Sequence, residues 1–274
     1  MYLYPAVSVL IPTYNRLLSL AELMESLYRQ TFRDFEVIIV NDGGEDVEPI
    51  KALYPELDIR VITTRQNQKH VHARNLGLKY ARGRFVMLCD DDDLLISSHL
   101  ENMMNEIRGY DLVYSDVEIV EYEVRNNIRM PVNRHLFAYR HELEAMKKFS
   151  TFVASGCLYR RSIHKRIGYF DTEVYCYWDW DFFLRVSESF RVKRVPSAGV
   201  LYAFSRNGDN ESGDLNYMSV YLDKLSAKHN LGPLPTKNFF LLLEEPEMRA
   251  REAESLVIWD GQPMVSRMVR RNIR

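Results

Sequence analysis

Four consecutive aspartates, Asp90-Asp91-Asp92-Asp93, follow the apolar run Phe85-Val86-Met87-Leu88-Cys89. Carboxylates crowded in this way are costly to fold unless a cation answers them. A hard divalent cation takes oxygen ligands and often also grips the phosphate oxygens of a substrate. A second acidic group lies in Trp178-Asp179-Trp180-Asp181-Phe182-Phe183-Leu184-Arg185. A carboxylate partly desolvated beside tryptophan has a raised pKa, which suits a general base. The other aspartate can pair with Arg185 four residues on if the segment is helical. Both groups also have plain structural uses, because aspartates cap helices and acidic loops sit in solvent. A cap, however, needs one acid and not four.

Three further turns carry polar groups. Pro12-Thr13-Tyr14-Asn15-Arg16 follows the β-branched stretch at 6–11. Polar residues just past a parallel strand are placed to touch a ligand, although Asn15 would also serve as a helix cap. Asp42-Gly43-Gly44 follows the apolar stretch at 35–40. The glycines allow a tight turn, and the Asp42 carboxylate can accept an imide N–H such as that of uracil or thymine. An ordinary turn aspartate is the alternative. His72-Ala73-Arg74-Asn75 opens a helical pattern ahead of the acidic run. Arg74 suits a diphosphate or a planar base, or else lies on the surface. His70 and His72 are two residues apart, share no helical face and are not a metal pair.

The elements that must hold these groups alternate. Strand patterns fall at 6–11, 35–40, 59–63 and 85–89, with helical patterns at 17–28, 46–53 and 72–81. This predicts an α/β fold with a Rossmann-like, mostly parallel central sheet flanked by helices. Beyond Asp93 the pattern becomes mixed: a helix at 100–107, a strand from 112 and an antiparallel excursion at 117–130. A strand at 152–159, a helix at 178–187 and a strand at 191–195 follow. From 215 onward the chain reads as mostly helical, with breaks at Gly232-Pro233-Leu234-Pro235 and Gly261-Gln262-Pro263. The expected division is a ligand-binding half at 1–115, a second half at 116–213 and a helical C-terminal extension at 214–274. The stretch Arg206-Asn207-Gly208-Asp209-Asn210-Glu211-Ser212-Gly213 lacks apolar anchors and is expected to close over a bound ligand. Near the end, Val265, Met268, Val269 and Ile273 alternate with Arg267, Arg270, Arg271 and Arg274. Such a helix suits an anionic lipid surface or a second copy of the chain, or packs on its own domain.

The 274 residues are 46% hydrophobic, enough for one large domain with a full core. A net charge of −2 offers no basic field for nucleic acid. Cys89, Cys157 and Cys176 form no disulfide framework or zinc pattern, so a reducing cytosol is the expected setting. Met1-Tyr2-Leu3-Tyr4-Pro5 does not resemble a signal peptide, and no apolar stretch reaches the length of a membrane span. The expectation is a soluble cytoplasmic protein with room for peripheral contact at the inner face of the membrane.

Taken together, the segments resemble the inverting glycosyltransferases of family 2, whose fold is called GT-A. The matching pieces are Val7-Ser8-Val9-Leu10-Ile11-Pro12-Thr13-Tyr14-Asn15, Val40-Asn41-Asp42-Gly43 and Ala73-Arg74-Asn75-Leu76-Gly77. Gly83-Arg84 with the acidic run, Ser155-Gly156-Cys157-Leu158-Tyr159-Arg160 and Trp178-Asp179-Trp180-Asp181 complete the order. The resemblance implies transfer of a hexose from a nucleotide-diphosphate sugar, most simply a UDP or dTDP sugar, to a glycan or lipid-linked acceptor in polysaccharide or cell-envelope synthesis. It implies a divalent cofactor, Mn2+ or Mg2+. Carried over residue by residue, Pro12, Thr13, Tyr14, Asn15 and Asp42 would hold the nucleoside, and Arg74 would contact the nucleotide. Asp90 and Asp91 would lie near the ribose, Asp92 would bind the metal, and Asp179 would be the base, with Asp181 the next candidate. Many relatives have small residues before the Ala-Arg-Asn segment, where this chain has Gln68-Lys69-His70-Val71. Many also carry a histidine after the last core strand; here Arg206 is the candidate phosphate partner in that stretch. A nucleotidyltransferase would instead need a glycine-rich basic loop after its first strand. A non-catalytic sugar- or nucleotide-binding module would be expected to have lost the base or the metal acids.

Overall fold

The structure is a computed structural model that describes residues 4–204, 215–236 and 243–272. Its parallel half contains β1 (Val7–Thr13), α1 (Leu17–Tyr28), β2 (Phe35–Asn41), α2 (Pro49–Leu53), β3 (Asp58–Thr63), α3 (His70–Tyr80) and β4 (Phe85–Leu88). Strands β1, β2 and β4 are buried along their whole length, which is why they read as continuous apolar runs and not as alternations. The pairs β1–β2, β1–β4 and β2–β3 are parallel, so the turns after β1, β2 and β4 emerge at one edge. Helix α3 sits unusually close to the sheet: a Cβ on Gly77 would lie 2.0 Å from Leu10 Cδ1. That approach draws Arg74, one turn earlier, onto the edge where the acidic run leaves β4.

The second half adds β5 (Leu94–Leu95), α4 (His99–Glu106), β6 (Leu112–Arg125), β7 (Ile128–Phe137), α5 (Leu143–Met146), β8 (Leu158–Arg160), α6 (His164–Ile167), α7 (Trp178–Ser187) and β9 (Val192–Ala203). With β10 (Leu256–Val257) they extend one sheet in the order β10-β9-β6-β8-β4-β1-β2-β3, β5 pairing with β9 and β7 with β6. β8 runs antiparallel to β4 and β6, giving the mixed sheet that covers the acidic turn. The expected antiparallel excursion is the β6–β7 hairpin, closed by Asn126 and Asn127 at φ 53° and 59°. Asparagine tolerates this left-handed region, and paired positive φ values suit a two-residue hairpin turn.

Two boundaries differ from the sequence expectation for physical reasons. β9 does not stop at Val195 but runs to Ala203. Its ladder with β6 jumps from Ser115↔Val195 to Asp116↔Ala198, a bulge that passes over Pro196, which has no N–H to give. The strand expected at 152–159 is confined to Leu158–Arg160. Gly156 at φ 77° breaks it, and the irregular stretch before it lines the cleft described below.

Within the C-terminal segment the main helix is α8 (Leu215–His229), with short helices at Pro246–Arg249 and Arg267–Asn272. Between those two, Leu256–Val257 joins the sheet beside β9. Of the basic residues expected to face lipid or a second copy, Arg267 and Arg270 are turned onto the chain's own domain. Arg267 Nη1 donates to Leu53 O at 2.9 Å, its guanidinium lies 4.2 Å over the Tyr28 ring, and Arg270 Nη2 reaches Glu25 at 3.5 Å. Val269 is buried beneath them. Truncation after Pro263 is therefore expected to lower unfolding free energy by about 2–3 kcal/mol, mainly through lost apolar burial. Equilibrium denaturation checks this. A truncated protein of unchanged stability that no longer binds anionic liposomes would return the helix to the membrane.

Candidate active site

The turns after β1, β2 and β4 and the start of α7 surround a cleft of about 620 Å³. The acidic turn forms its floor. Two like unit charges about 5 Å apart repel by about 3 kcal/mol at an effective dielectric of about 20, so each aspartate needs a separate answer. Asp90 takes the guanidinium of Arg74 on Oδ1, and its backbone N–H donates to Ser155 Oγ at 3.2 Å. Asp91 is buried and accepts from the Thr13 hydroxyl at 2.6 Å. Asp92 Oδ2 takes Arg16 Nη1, which also lies 3.6 Å from Asp91 Oδ1. The Asp92 carbonyl accepts from Arg129 Nη1 of β7 at 2.7 Å, so the hairpin braces the turn. Asp93 faces inward, accepting from the Ala203 N–H at 2.9 Å. Burial pushes the Asp91 carboxyl up to about 7, with the neighbouring Asp92 adding to it and Thr13 and Arg16 opposing. Burial raises Asp92 as well, against the attraction of Arg16.

Across the cleft, Asp179 stands half-buried in the first turn of α7. Its Oδ1 accepts the Trp180 N–H at 2.8 Å, which fixes the carboxylate at the cleft wall. Burial pushes its pKa up to about 6, opposed by the Trp180 N–H and by Arg74. The second aspartate has a different fate. Asp181 is fully buried and pairs with Arg185 Nε at 2.8 Å, as the i,i+4 spacing predicted. Its other oxygen takes Lys228 Nζ at 2.7 Å and His229 Nε2 at 2.8 Å from α8. It clamps the C-terminal helix to the helix of the candidate base and is held in its ionised form.

The remaining expected residues divide by role. Pro12, Thr13, Tyr14, Asp42 and Arg74 line the cleft. Asn15, at φ 54°, holds the loop after β2 by accepting the Glu45 N–H at 2.8 Å. Asp42 receives the Gln68 N–H on both oxygens, at 3.0 and 2.9 Å, and the Thr64 hydroxyl at 3.0 Å. It thus organises the 64–68 loop as well as facing the cleft. Gly43 makes this fold-back feasible: at φ 75° its Cβ position falls 2.6 Å from the Gln66 carbonyl carbon. Arg74 is buried, bonded to His70 Nδ1 at 2.6 Å and stacked 4.2 Å over Trp178. Arg206, and the stretch expected to close over the ligand, lie outside the described residues.

Sequence reading missed Arg16 as a partner of the acids, although it stands in the first turn that was singled out. It also missed the cleft residues Phe149, Phe152, Met218 and Leu222, which carry no chemical motif and reach the site only through the tertiary fold. The placement of Asp179 sets a pH expectation. A general base must be unprotonated, so kcat/KM should fall about tenfold per unit below pH ~6 and flatten above it. A rate profile flat down to pH 4.5 would remove Asp179 from that role.

A sheet that is parallel in its first half and mixed in its second, with an acidic turn at the parallel edge, is the architecture of the GT-A fold. Residues 8–168 match the model of the glycosyl transferase family 2, and the chain belongs to that family. It is 57% identical to the "Uncharacterized glycosyltransferase YwdF" of Bacillus subtilis (strain 168), over 96% of this chain and 99% of that one. Among solved structures it resembles S. aureus TarS 1–349 in complex with UDP-GlcNAc, at TM-score 0.63 and 21% identity. That match covers 81% of this chain and 66% of the TarS chain. The mannosyltransferase PcManGT from Pyrobaculum calidifontis, in complex with GDP-Man and Mn2+, matches at TM-score 0.56 and 17% identity, over 90% and 83% of the two chains. At these identities the two structures speak for the fold. The family membership makes the protein a glycosyltransferase. No helix among the described residues is long and apolar enough to cross a membrane.

Proposed function

We propose that the enzyme transfers a hexose from a nucleotide-diphosphate sugar, a UDP or dTDP sugar first, to an acceptor hydroxyl with inversion at the anomeric carbon. The observation that carries this reading is one cleft with the acidic turn on its floor and a half-buried aspartate, Asp179, on its wall. Thr13, Tyr14 and Asp42 face the nucleoside, Asp90 and Asp91 the ribose, and Arg74 the diphosphate. Arg206 is retained as a candidate phosphate partner. Asp179 takes the proton of the acceptor hydroxyl as that oxygen attacks the anomeric carbon from the face opposite the nucleotide. One base without a second nucleophilic carboxylate beside it among the described residues suits a single displacement. Residues 1–115 would then bind the donor, 116–213 the acceptor, and 214–274 would brace both. A glycan or a lipid-linked sugar is the acceptor class, in polysaccharide or cell-envelope synthesis.

A divalent metal, Mn2+ or Mg2+, fits the donor set. No group of three or more His, Cys, Asp or Glu side chains converges as a metal cage among the described residues. Such a cage is not needed, since Mg2+ and similar ions are held by one or two carboxylates plus substrate phosphates. Asp92 would hold the ion, and the cation already standing on it, Arg16, marks the charge the turn demands. When bound, the metal supplies charge neutralisation for the leaving diphosphate. The bound Mn2+ of PcManGT and the bound UDP-GlcNAc of TarS support the two ligand classes.

Thermal-shift titration of UDP, dTDP and GDP, each with and without Mn2+, tests the reading. One of the uracil or thymine nucleotides should raise Tm in a Mn2+-dependent way, because a ligand specific for the folded state adds about 2.7 kcal/mol at 100 times its Kd. No shift with any nucleotide would overturn it. Proton NMR of the product should show the anomeric configuration opposite to that of the donor.

A further inference from the structure

Two arginines stand on carboxylates of the acidic turn, and they are held very differently. The side chain of Arg74 is 4% exposed, stacked over Trp178 and bonded to His70. That of Arg16 is 41% exposed and reaches the turn from the flank of the cleft. Its Nη1 sits on Asp92 Oδ2 and 3.6 Å from Asp91 Oδ1. The other attachments of the turn are already made. Asp91 Oδ2 takes the Thr13 hydroxyl, and the Asp92 carbonyl takes Arg129. The carboxylate oxygens facing Arg16 are therefore, with those of Asp90, the ones that present negative charge to the cleft.

We infer that Arg16 is a stand-in cation, which rests on the reading of Asp92 as metal ligand. In the metal-free enzyme its guanidinium neutralises the Asp91–Asp92 edge, and a divalent ion must displace it to reach Asp92. A guanidinium stays charged across the accessible pH range, so it cannot yield by losing a proton and must move. It can move because its side chain is long and partly in solvent, whereas Arg74 is locked between ring and carboxylate. Arg16 thus sets the metal affinity of the site without being one of its ligands. It holds the four-aspartate turn together between catalytic cycles, when no metal or nucleotide is present. The cost is weaker metal binding, which ties occupancy of the site to arrival of the phosphate-bearing donor.

The experiment titrates MnCl2 alone into the full-length protein and follows the free Mn2+ signal by electron paramagnetic resonance. Arg16→Gln should bind Mn2+ about fivefold more tightly than the parent, the size of a partly exposed ion pair removed from competition. Arg16→Lys, which keeps the charge, should stay within about twofold of the parent, separating charge competition from any loss of shape. Without metal, Arg16→Gln should melt below the parent, and saturating Mn2+ should close that gap. In an Asp92→Asn background the two Arg16 forms should no longer differ. Equal or weaker Mn2+ binding by Arg16→Gln, with the parent binding normally, overturns the inference alone. Absence of Mn2+ binding in both, alone and again with saturating UDP, overturns the metal reading together with it.

Discussion

Asp179→Asn is expected to lower turnover by about 10²–10⁴-fold while leaving donor affinity near that of the parent. The substitution keeps the shape and removes the proton acceptor. Asp179 Oδ1 accepts the Trp180 N–H at 2.8 Å, and an asparagine carbonyl can accept the same bond, so the start of α7 should survive. The loss should therefore appear in kcat and not in Tm. Asp181 provides the contrast from two residues away. It is fully buried and answered by Arg185, Lys228 and His229. Asp181→Asn removes the anion from that group and should cost about 3 kcal/mol of stability, the scale on which broken buried ion pairs are felt. Steady-state kinetics beside thermal melts of both variants tests the assignment. Near-normal turnover of Asp179→Asn on its true acceptor, with Asp181→Asn stable but inactive, would exchange the two roles.

Asp92→Ala is expected to abolish Mn2+-dependent nucleotide binding in a protein that still folds. The fold should tolerate it because three of the bonds that hold the turn do not use the Asp92 carboxylate. Arg129 donates to its backbone carbonyl, Thr13 holds Asp91, and Ala203 holds Asp93. Removing one of four crowded negative charges also relieves repulsion of about 3 kcal/mol per close pair, against which the lost contact with exposed Arg16 is modest. The metal-free variant should melt at or above the parent's temperature. Calorimetry of UDP with and without Mn2+ reads the binding. If Mn2+ still strengthens nucleotide binding to Asp92→Ala as much as to the parent, the metal ligand lies elsewhere in the turn. Asp90, partly exposed to the cleft and held by Arg74, would be the residue to test next.

Much of the parallel half was legible because its signals are local. A strand buried on both faces must be continuously apolar, as β1, β2 and β4 are, and a polar turn after each must lie at one edge of the sheet. The sequence by itself therefore determined the fold class, the edge that carries Thr13, Asp42 and Asp90, and the i,i+4 pairing of Asp181 with Arg185. It did not determine the ends of elements set by partners. Pro196 looks like a stop, yet β9 bulges past it and resumes its ladder with β6, and only a neighbouring strand can offer that ladder. Nor could it distinguish Asp179 from Asp181. Two carboxylates two residues apart are equivalent in composition, and the difference between them is made by α8, nearly 50 residues later, whose Lys228 and His229 close on one and not the other. The same holds for the acidic turn. Its demand for a cation follows from the charge of four adjacent aspartates, a property of the chain. Which cation answers which carboxylate depends on where the turn before α1 and helix α3 bring Arg16 and Arg74, because electrostatic pairing is decided by distance and burial in the folded molecule.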